Sequence, residues 1–222
     1  MTAYALEHDT DNLPTAAATA LSPVVFSQIY KPEHNIAIWQ RNLAEQLQSE
    51  VAESITANPE LSINAVINQN SIVADIDKAL EKLPQAKELK ADLAQLVDMF
   101  CYLFELKRTG LRLRVLERAM CPRFHVDKVP CRLVSTYYGS GSQWLQNAGL
   151  DRTKLGAGHQ GLSDEESGLM TANAKIHSLN VGDVALLKGE TWQDNEGKGL
   201  VHRSPALAAG EKRLLVTLDF IA

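Results

Sequence analysis

At Gly110 the apolar pattern of this sequence changes period, and the chain divides there into a helical part and a stranded part. Over residues 34–58, Ile36, Trp39, Leu43, Leu47, Val51 and Ile55 recur every three or four positions, which predicts an amphipathic helix that stops at Asn58 and Pro59. A second helical stretch covers residues 72–83. Pro84 opens a third, whose Leu89, Leu93, Leu96, Val97, Phe100, Leu103, Phe104 and Leu106 form a broad apolar face. Past Gly110, L-R-L-R-V at 111–115 alternates apolar and charged residues, and R-L-V-S-T-Y-Y at 132–138 is β-branched and aromatic. Shorter strand-like runs follow at 174–179, 184–188, 199–203 and 213–220, so the C-terminal half is expected to be an antiparallel sandwich or barrel. Residues 1–33, rich in Ala, Thr and Pro, read as a mobile arm with a short extended piece at 23–29. The expected organisation is therefore arm 1–33, helical region 34–110 packed on the strands, and stranded domain 111–222. Residues 140–173, polar and rich in glycine, interrupt the strands as a loop insertion and a candidate lid.

A chain of 222 residues can bury a sizeable core, and 45% hydrophobic with 22% charged residues is ordinary for a globular protein. The formal charge of −5 and pI of 5.7 argue against affinity built on nucleic-acid phosphates or an anionic membrane. No run approaches the ~18 apolar residues of a membrane span, and M-T-A-Y-A-L-E-H-D-T-D lacks the features of a signal peptide, so a cytoplasmic location is expected. In that reducing setting Cys101, Cys121 and Cys131 are expected as thiols.

The stretch C-P-R-F-H-V-D-K-V-P-C at 121–131 carries the chemistry. On a strand His125 and Asp127 project to one face, because side chains alternate with period two. His202, in V-H-R-S-P at 201–205, follows a strand-like run and offers a third ligand. Two imidazoles and a carboxylate on one side of an octahedral ion leave open positions opposite, an arrangement associated with non-heme Fe(II) oxygenases. Arg213 lies eleven positions beyond His202. Inside a barrel its charge would be costly unless a carboxylate met it, and its planar fork matches a carboxylate bidentately.

This order of residues resembles that of the 2-oxoglutarate- and Fe(II)-dependent dioxygenases over residues 111–220. The resemblance implies a double-stranded β-helix, a jelly-roll or cupin-like barrel, giving an α+β fold with the N-terminal helices layered on it. It implies that His125, Asp127 and His202 hold Fe(II), with no catalytic residue beyond these ligands. It implies too that Arg213 receives the distal carboxylate of 2-oxoglutarate as cosubstrate, with Tyr137 or Tyr138 assisting. Where many such enzymes carry Ser or Thr two residues after the arginine, this chain has Leu215. A second resemblance, carried by C-P-R-F-H-V-D, R-L-V-S-T-Y-Y-G-S-G-S-Q-W-L, L-L-K-G-E-T-W and G-L-V-H-R-S-P, is to bacterial domain-of-unknown-function family 1826. Its members are often encoded beside zinc-responsive GTPase metallochaperones, which implies a link to metal homeostasis. The competing expectation is thus a non-catalytic protein holding Zn through the same three side chains, with a metallochaperone partner. A third is a scaffold with a degenerate site.

Cys121 and Cys131 flank the ligands, and thiolates would favour zinc, but a free cysteine is more often a small buried hydrophobe. His159 and His177 read as loop and strand residues, His159 being the better outside candidate as a ligand because it sits in the candidate lid. Trp144 and Trp192 either line a substrate pocket or pack over the barrel mouth, and Arg123, Arg132, Asp151 and Arg152 are candidates to position an acidic or polar substrate, with a solvated surface the default for each. The apolar face from Leu89 to Leu106 is expected to cover the barrel's outer sheet or to meet a second copy of the chain as a homodimer. The substrate is an unspecified small molecule or peptide.

Overall fold

The computed structural model describes residues 17–221. Ten strands form two sheets: β1 (Ala18–Ala20), β2 (Ile36–Trp39), β3 (Ser62–Asn68), β4 (Arg108–Leu116), β5 (Cys131–Tyr138), β6 (Gln143–Leu145), β7 (Ile176–Ser178), β8 (Val184–Lys188), β9 (Val201–Arg203) and β10 (Arg213–Asp219). The large sheet has the order β1-β2-β8-β5-β10-β4-β3 and the small one β7-β6-β9. All neighbours are antiparallel except β1 and β2. From β4 onward the chain passes back and forth between them, with β6 and β7 consecutive in the small sheet and the segment around His125 joining its edge through a bridge to His202. Among the described residues no ladder joins the two sheets, so they face one another without closing into a barrel.

Helices α1 (Glu45–Ala57), α2 (Ile72–Ala79) and α3 (Lys87–Leu103) cover one face of the large sheet. Leu89, Leu93, Leu96, Val97 and Phe100 recur on one stripe of α3 and are buried with Leu111, Leu113, Leu133, Leu186, Leu214, Val216 and Leu218. The first amides of α3 find a buried carboxylate: Glu50 Oε2 accepts from Glu88 N at 2.8 Å and Leu89 N at 3.3 Å. No helix among the described residues is long and apolar enough to cross a membrane.

Several expectations need correction. The helix expected over 34–58 starts only at Glu45, because I-A-I-W at 36–39 is strand β2, paired to β1 on one side and β8 on the other. Its β-branched and aromatic residues at positions 36 and 39 happen to continue the helical spacing. The half of the arm that is described is packed: β1 extends the sheet, and a 3-10 helix, Pro23–Tyr30, buries Val25, Phe26 and Ile29, where an extended piece was expected. Residues 1–16 of the arm lie outside the described residues. S-I-N-A-V-I-N, between the first two helices, is strand β3. Gly110 lies inside β4, and β1, β2 and β3 complete the same sheet, so the change of period marks a change of element and not an edge.

Candidate metal centre

His125 and His202 are placed by each other's backbone. His125 N donates to His202 O at 3.0 Å and His202 N donates to His125 O at 2.9 Å. Directly paired antiparallel residues send their side chains to the same face; the rings lie 4.5 Å apart. Their neighbours Phe124 and Val201 turn the other way, into a small core with Leu145 and Leu169. Asp127, two residues beyond His125, completes the group: its Oδ1 is 3.7 Å from His125 Nε2 and its Oδ2 is 3.4 Å from His202 Nε2. One ligand atom from each of the three lies within 4.8 Å of the others, so the cluster can hold a metal ion.

The hydrogen bonds fix which ring atoms face the centre. His125 Nδ1 is 2.9 Å from Arg123 O and His202 Nδ1 is 3.1 Å from Leu200 O. A carbonyl only accepts, so each Nδ1 carries a proton and, in the neutral ring, each Nε2 presents a lone pair. Two imidazole lone pairs and a carboxylate then converge with no donor among them, an arrangement that a cation satisfies. Burial disfavours the charged form of Asp127, but hydrogen bonding and opposite charge, from Arg132 at all times and from His202 and His125 when their rings are protonated, outweigh it and bring the carboxyl down to about 2. Burial, with the neighbouring His202, pulls His125 below its ordinary value.

Arg132 holds the carboxylate in place. Its Nη1 donates to Asp127 Oδ2 at 2.7 Å while its Nε donates to Asp219 Oδ1 at 2.6 Å. It is a half-buried tether, where a solvated surface was the default expectation from sequence; its partner Asp219 stands 87 positions away, beyond any local signal. On the outer side Asp164 accepts from Arg123 Nε at 2.8 Å, Phe124 N at 3.0 Å and Arg203 Nη1 at 2.9 Å, tying both ligand strands together. Asp164 lies in the segment expected to be a lid. That segment instead contains β6 and, through Asp164 and Leu169, packs behind the ligands on the outer face of the small sheet.

Arg213 is 1% exposed on the face of β10 turned toward the small sheet. Its Nε and Nη2 donate to Thr136 Oγ1 at 3.3 and 3.0 Å, and Nη2 donates to Ser142 Oγ at 2.7 Å. Its Nη1 is buried without a partner among the described residues, and burial pulls the guanidinium down to about 10. Thr136 and Ser142 went unnoticed in the sequence, where nothing distinguishes their hydroxyls. Tyr137 is a correction. The pairing of β5 with β10 skips it between Thr136 and Tyr138, and its side chain points away from Arg213 into the helix-covered core, where its hydroxyl donates to Asp92 Oδ2 at 2.5 Å. Tyr138 is 44% exposed.

The remaining candidates stand apart. Cys131 is buried on the helix-covered side of β5, where burial pushes its thiol up, and Cys121 is exposed; neither joins the cluster. His159 Nδ1 accepts from Gly161 N within its own loop. His177 stacks on Trp144, the residue between His177 and His202 in the small sheet. Trp192 packs against Tyr30 and Phe104. Asp151 closes the turn at Thr153, and Arg152 donates to Gly199 O at 2.7 Å.

The family model described as protein of unknown function (DUF1826) matches residues 20–219. No curated protein matches. Among solved structures, the dioxygenase for auxin oxidation from rice is 14% identical with a TM-score of 0.51, covering 85% of this chain and 74% of that one. Dioxygenase for auxin oxidation 1 from Arabidopsis thaliana, in complex with 2-oxoglutarate, is 7% identical with a TM-score of 0.49, covering 94% and 92%. A prolyl-4-hydroxylase from Pseudomonas putida is 12% identical with a TM-score of 0.43, covering 89% and 92%. At such identities the likeness to the rice protein is one of fold.

Proposed function

We propose that this chain, which belongs to the DUF1826 family, is an Fe(II)- and 2-oxoglutarate-dependent dioxygenase built on a double-stranded β-helix. The alternation of β4, β5, β8 and β10 in the large sheet with the His125 segment, β6, β7 and β9 in the small one fits that fold. The observation that carries the reading is Arg213. A zinc site would need the triad alone. Here the space between the sheets also holds a buried guanidinium with an orphaned Nη1 and no carboxylate within ion-pairing distance among the described residues, in the chemistry a distal carboxylate would satisfy.

His125 Nε2, His202 Nε2 and an oxygen of Asp127 are the donors that would hold the metal, with the Arg123 and Leu200 carbonyls orienting the rings and Arg132 steadying the carboxylate. Bound Fe(II) supplies O₂ activation coupled to oxidative decarboxylation of 2-oxoglutarate to succinate and CO₂. Arg213, oriented by Thr136 and Ser142, would seat the distal carboxylate and so aim the keto acid end at the triad. Val134, Ala185, Leu187, Ile36 and Ile38 give the space between the sheets an apolar wall that keeps water out.

The test is succinate release from 2-oxoglutarate by purified protein with Fe(II) and ascorbate. Turnover should vanish in Arg213→Ala while metal affinity holds. In His202→Ala metal affinity should fall by about 100-fold. Tightly held zinc with no succinate from the iron-loaded protein would overturn the reading.

A further inference from the structure

Beside Asp127, and distinct from Arg213, a cleft of about 250 Å³ opens on the same face of the large sheet, lined by Arg112, Arg114, Met120, Arg132, Leu215 and Thr217. Its floor follows from the register. Leu215 pairs with Arg114, Thr217 pairs with Arg112, and Asp219 pairs with Arg132, so three arginines from the two strands flanking β10, two on β4 and one on β5, line up along it. Further across, the same face carries Ile36, Ile38, Val134, Ala185 and Leu187. Arg114 and Arg132 are half-buried there, and a guanidinium taken partly out of water costs free energy unless something negative meets it.

The protein meets that need only in part. Arg112 Nη1 and Arg132 Nε share one carboxylate, Asp219, at 2.9 and 2.6 Å. Arg132 Nη1 uses the other, Asp127, which a bound metal would also claim. Arg114 has none among the described residues: its Nη2 donates to Asn64 Oδ1 at 3.2 Å, its Nη1 lies 3.8 Å from Met120 Sδ, and its Nε is buried without a partner among them. Three cations thus face two carboxylates, and the one left over lines the cleft. Met120 and Leu215 supply apolar walls, and Met120 belongs to the segment that leads straight into the ligand motif. The volume is below the ~300–1,000 Å³ of sites for drug-sized ligands, which fits a small molecule and not a peptide or nucleic acid.

We infer that this cleft seats the substrate to be oxidised, a small molecule carrying a carboxylate or phosphate group on an apolar body; the inference rests on the dioxygenase reading. The anion docks on Arg114 and Arg112, the body lies against Met120 and Leu215, and Arg132, which also grips Asp127, keeps cleft and metal in fixed relation. Binding the remote charge orients the reacting carbon.

The test uses protein loaded with Fe(II) and 2-oxoglutarate without O₂, titrated calorimetrically with 3-phenylpropanoate, phenyl phosphate and neutral 3-phenylpropanamide. At least one anion should bind at least about tenfold more tightly than the amide, and Arg114→Gln should remove about that factor, the equivalent of one charge-assisted hydrogen bond. The same variant should keep metal and 2-oxoglutarate affinity within about twofold and melt as wild type does, with Arg114→Lys recovering part of the anion affinity. Comparison of the two anions tells carboxylate from phosphate recognition. Equal binding of amide and anions, no anion binding, or an unchanged Arg114→Gln overturns the inference. So does weakened 2-oxoglutarate binding in that variant, which would assign the cleft to the cosubstrate. If Arg114-dependent anion binding persists in protein that takes no 2-oxoglutarate, the dioxygenase reading falls and anion recognition stands alone.

Discussion

The two faces of the large sheet are made by the same strands, one residue out of step, and they handle buried charge in opposite ways. On the helix-covered face Arg41 donates through Nη1 and Nη2 to both oxygens of Asp92, at 2.6 and 2.8 Å, and the Tyr137 hydroxyl adds a third bond to the same carboxylate. Glu50 closes on the amides of α3. On the face toward the small sheet, Arg213 Nη1 and Arg114 Nε are left without partners among the described residues, and the triad brings acceptors together with no donor of its own between them. One face spends its polar groups on holding the helices. The other leaves polar groups without protein partners among the described residues, which on the proposed function are the groups that meet ligands, at a cost to stability that the first must cover.

If that division is real, the largest effect comes from opening the closed side. Asp92→Ala strands Arg41, whose side chain is 12% exposed, and should cost about 4 kcal/mol in a denaturant titration. Metal affinity of the folded variant should stay within about twofold. A loss below about 1 kcal/mol, or a metal affinity that moves tenfold, breaks the separation of the faces. Next comes Lys188 on β8, whose Nζ donates to Lys31 O at 2.9 Å above the Trp192 ring. Burial lowers its amine to about 8, outweighing the opposing charge of Glu33. Between pH 8 and the ordinary lysine value of 10.5 the unfolded chain therefore binds more protons than the folded one, so this group's contribution makes stability rise with pH across that window. Relative to Lys188→Met, wild-type stability should climb by up to about 3 kcal/mol over the window and run parallel below it. The opposing titration of the buried Cys131 thiol is common to both proteins and drops out of the difference. Parallel curves throughout would show that the amine is charged in the core without penalty.

Where one physical pattern governs an element, the sequence was readable. The strands β4, β5 and β10 follow from runs marked by alternation or by β-branched residues, β8 from a short apolar run after the turn at Gly182, and α3 from a stripe that never lapses. The meeting of His125, Asp127 and His202 was legible because H-x-D on a strand fixes two side chains to one face, and a later histidine after an apolar run marks a returning strand. β2 was not, since I-A-I-W is too short to separate a period of two from one of three or four. Nor was the place of Tyr137: the irregularity in the pairing at that residue gives Thr136, not its aromatic neighbour, to Arg213. The tether from Arg132 to Asp219 and the clamp of Asp164 join residues too distant in sequence for any local rule.

The smallest expected effect is the most discriminating, because it has the opposite sign to the first. Arg213 resembles Arg41 in being a guanidinium taken out of water, but its partners are two hydroxyls where Arg41 has a carboxylate. Burial lowers its folded-state value to about 10, below that of the unfolded chain, so the charge works against folding at neutral pH. Arg213→Met keeps the length and apolar stem, removes the charge, and leaves Thr136 and Ser142 free to turn their hydroxyls elsewhere. Metal-free protein should gain about 1 kcal/mol, seen as a melting temperature about 2–4 °C higher, while 2-oxoglutarate binding is lost. In wild type the ligand should raise the melting temperature by mass action, and in the variant it should not. If Arg213→Met destabilises the fold as Asp92→Ala does, the guanidinium is a structural element of the sheet, both faces obey one rule, and the principal support for a dioxygenase is gone.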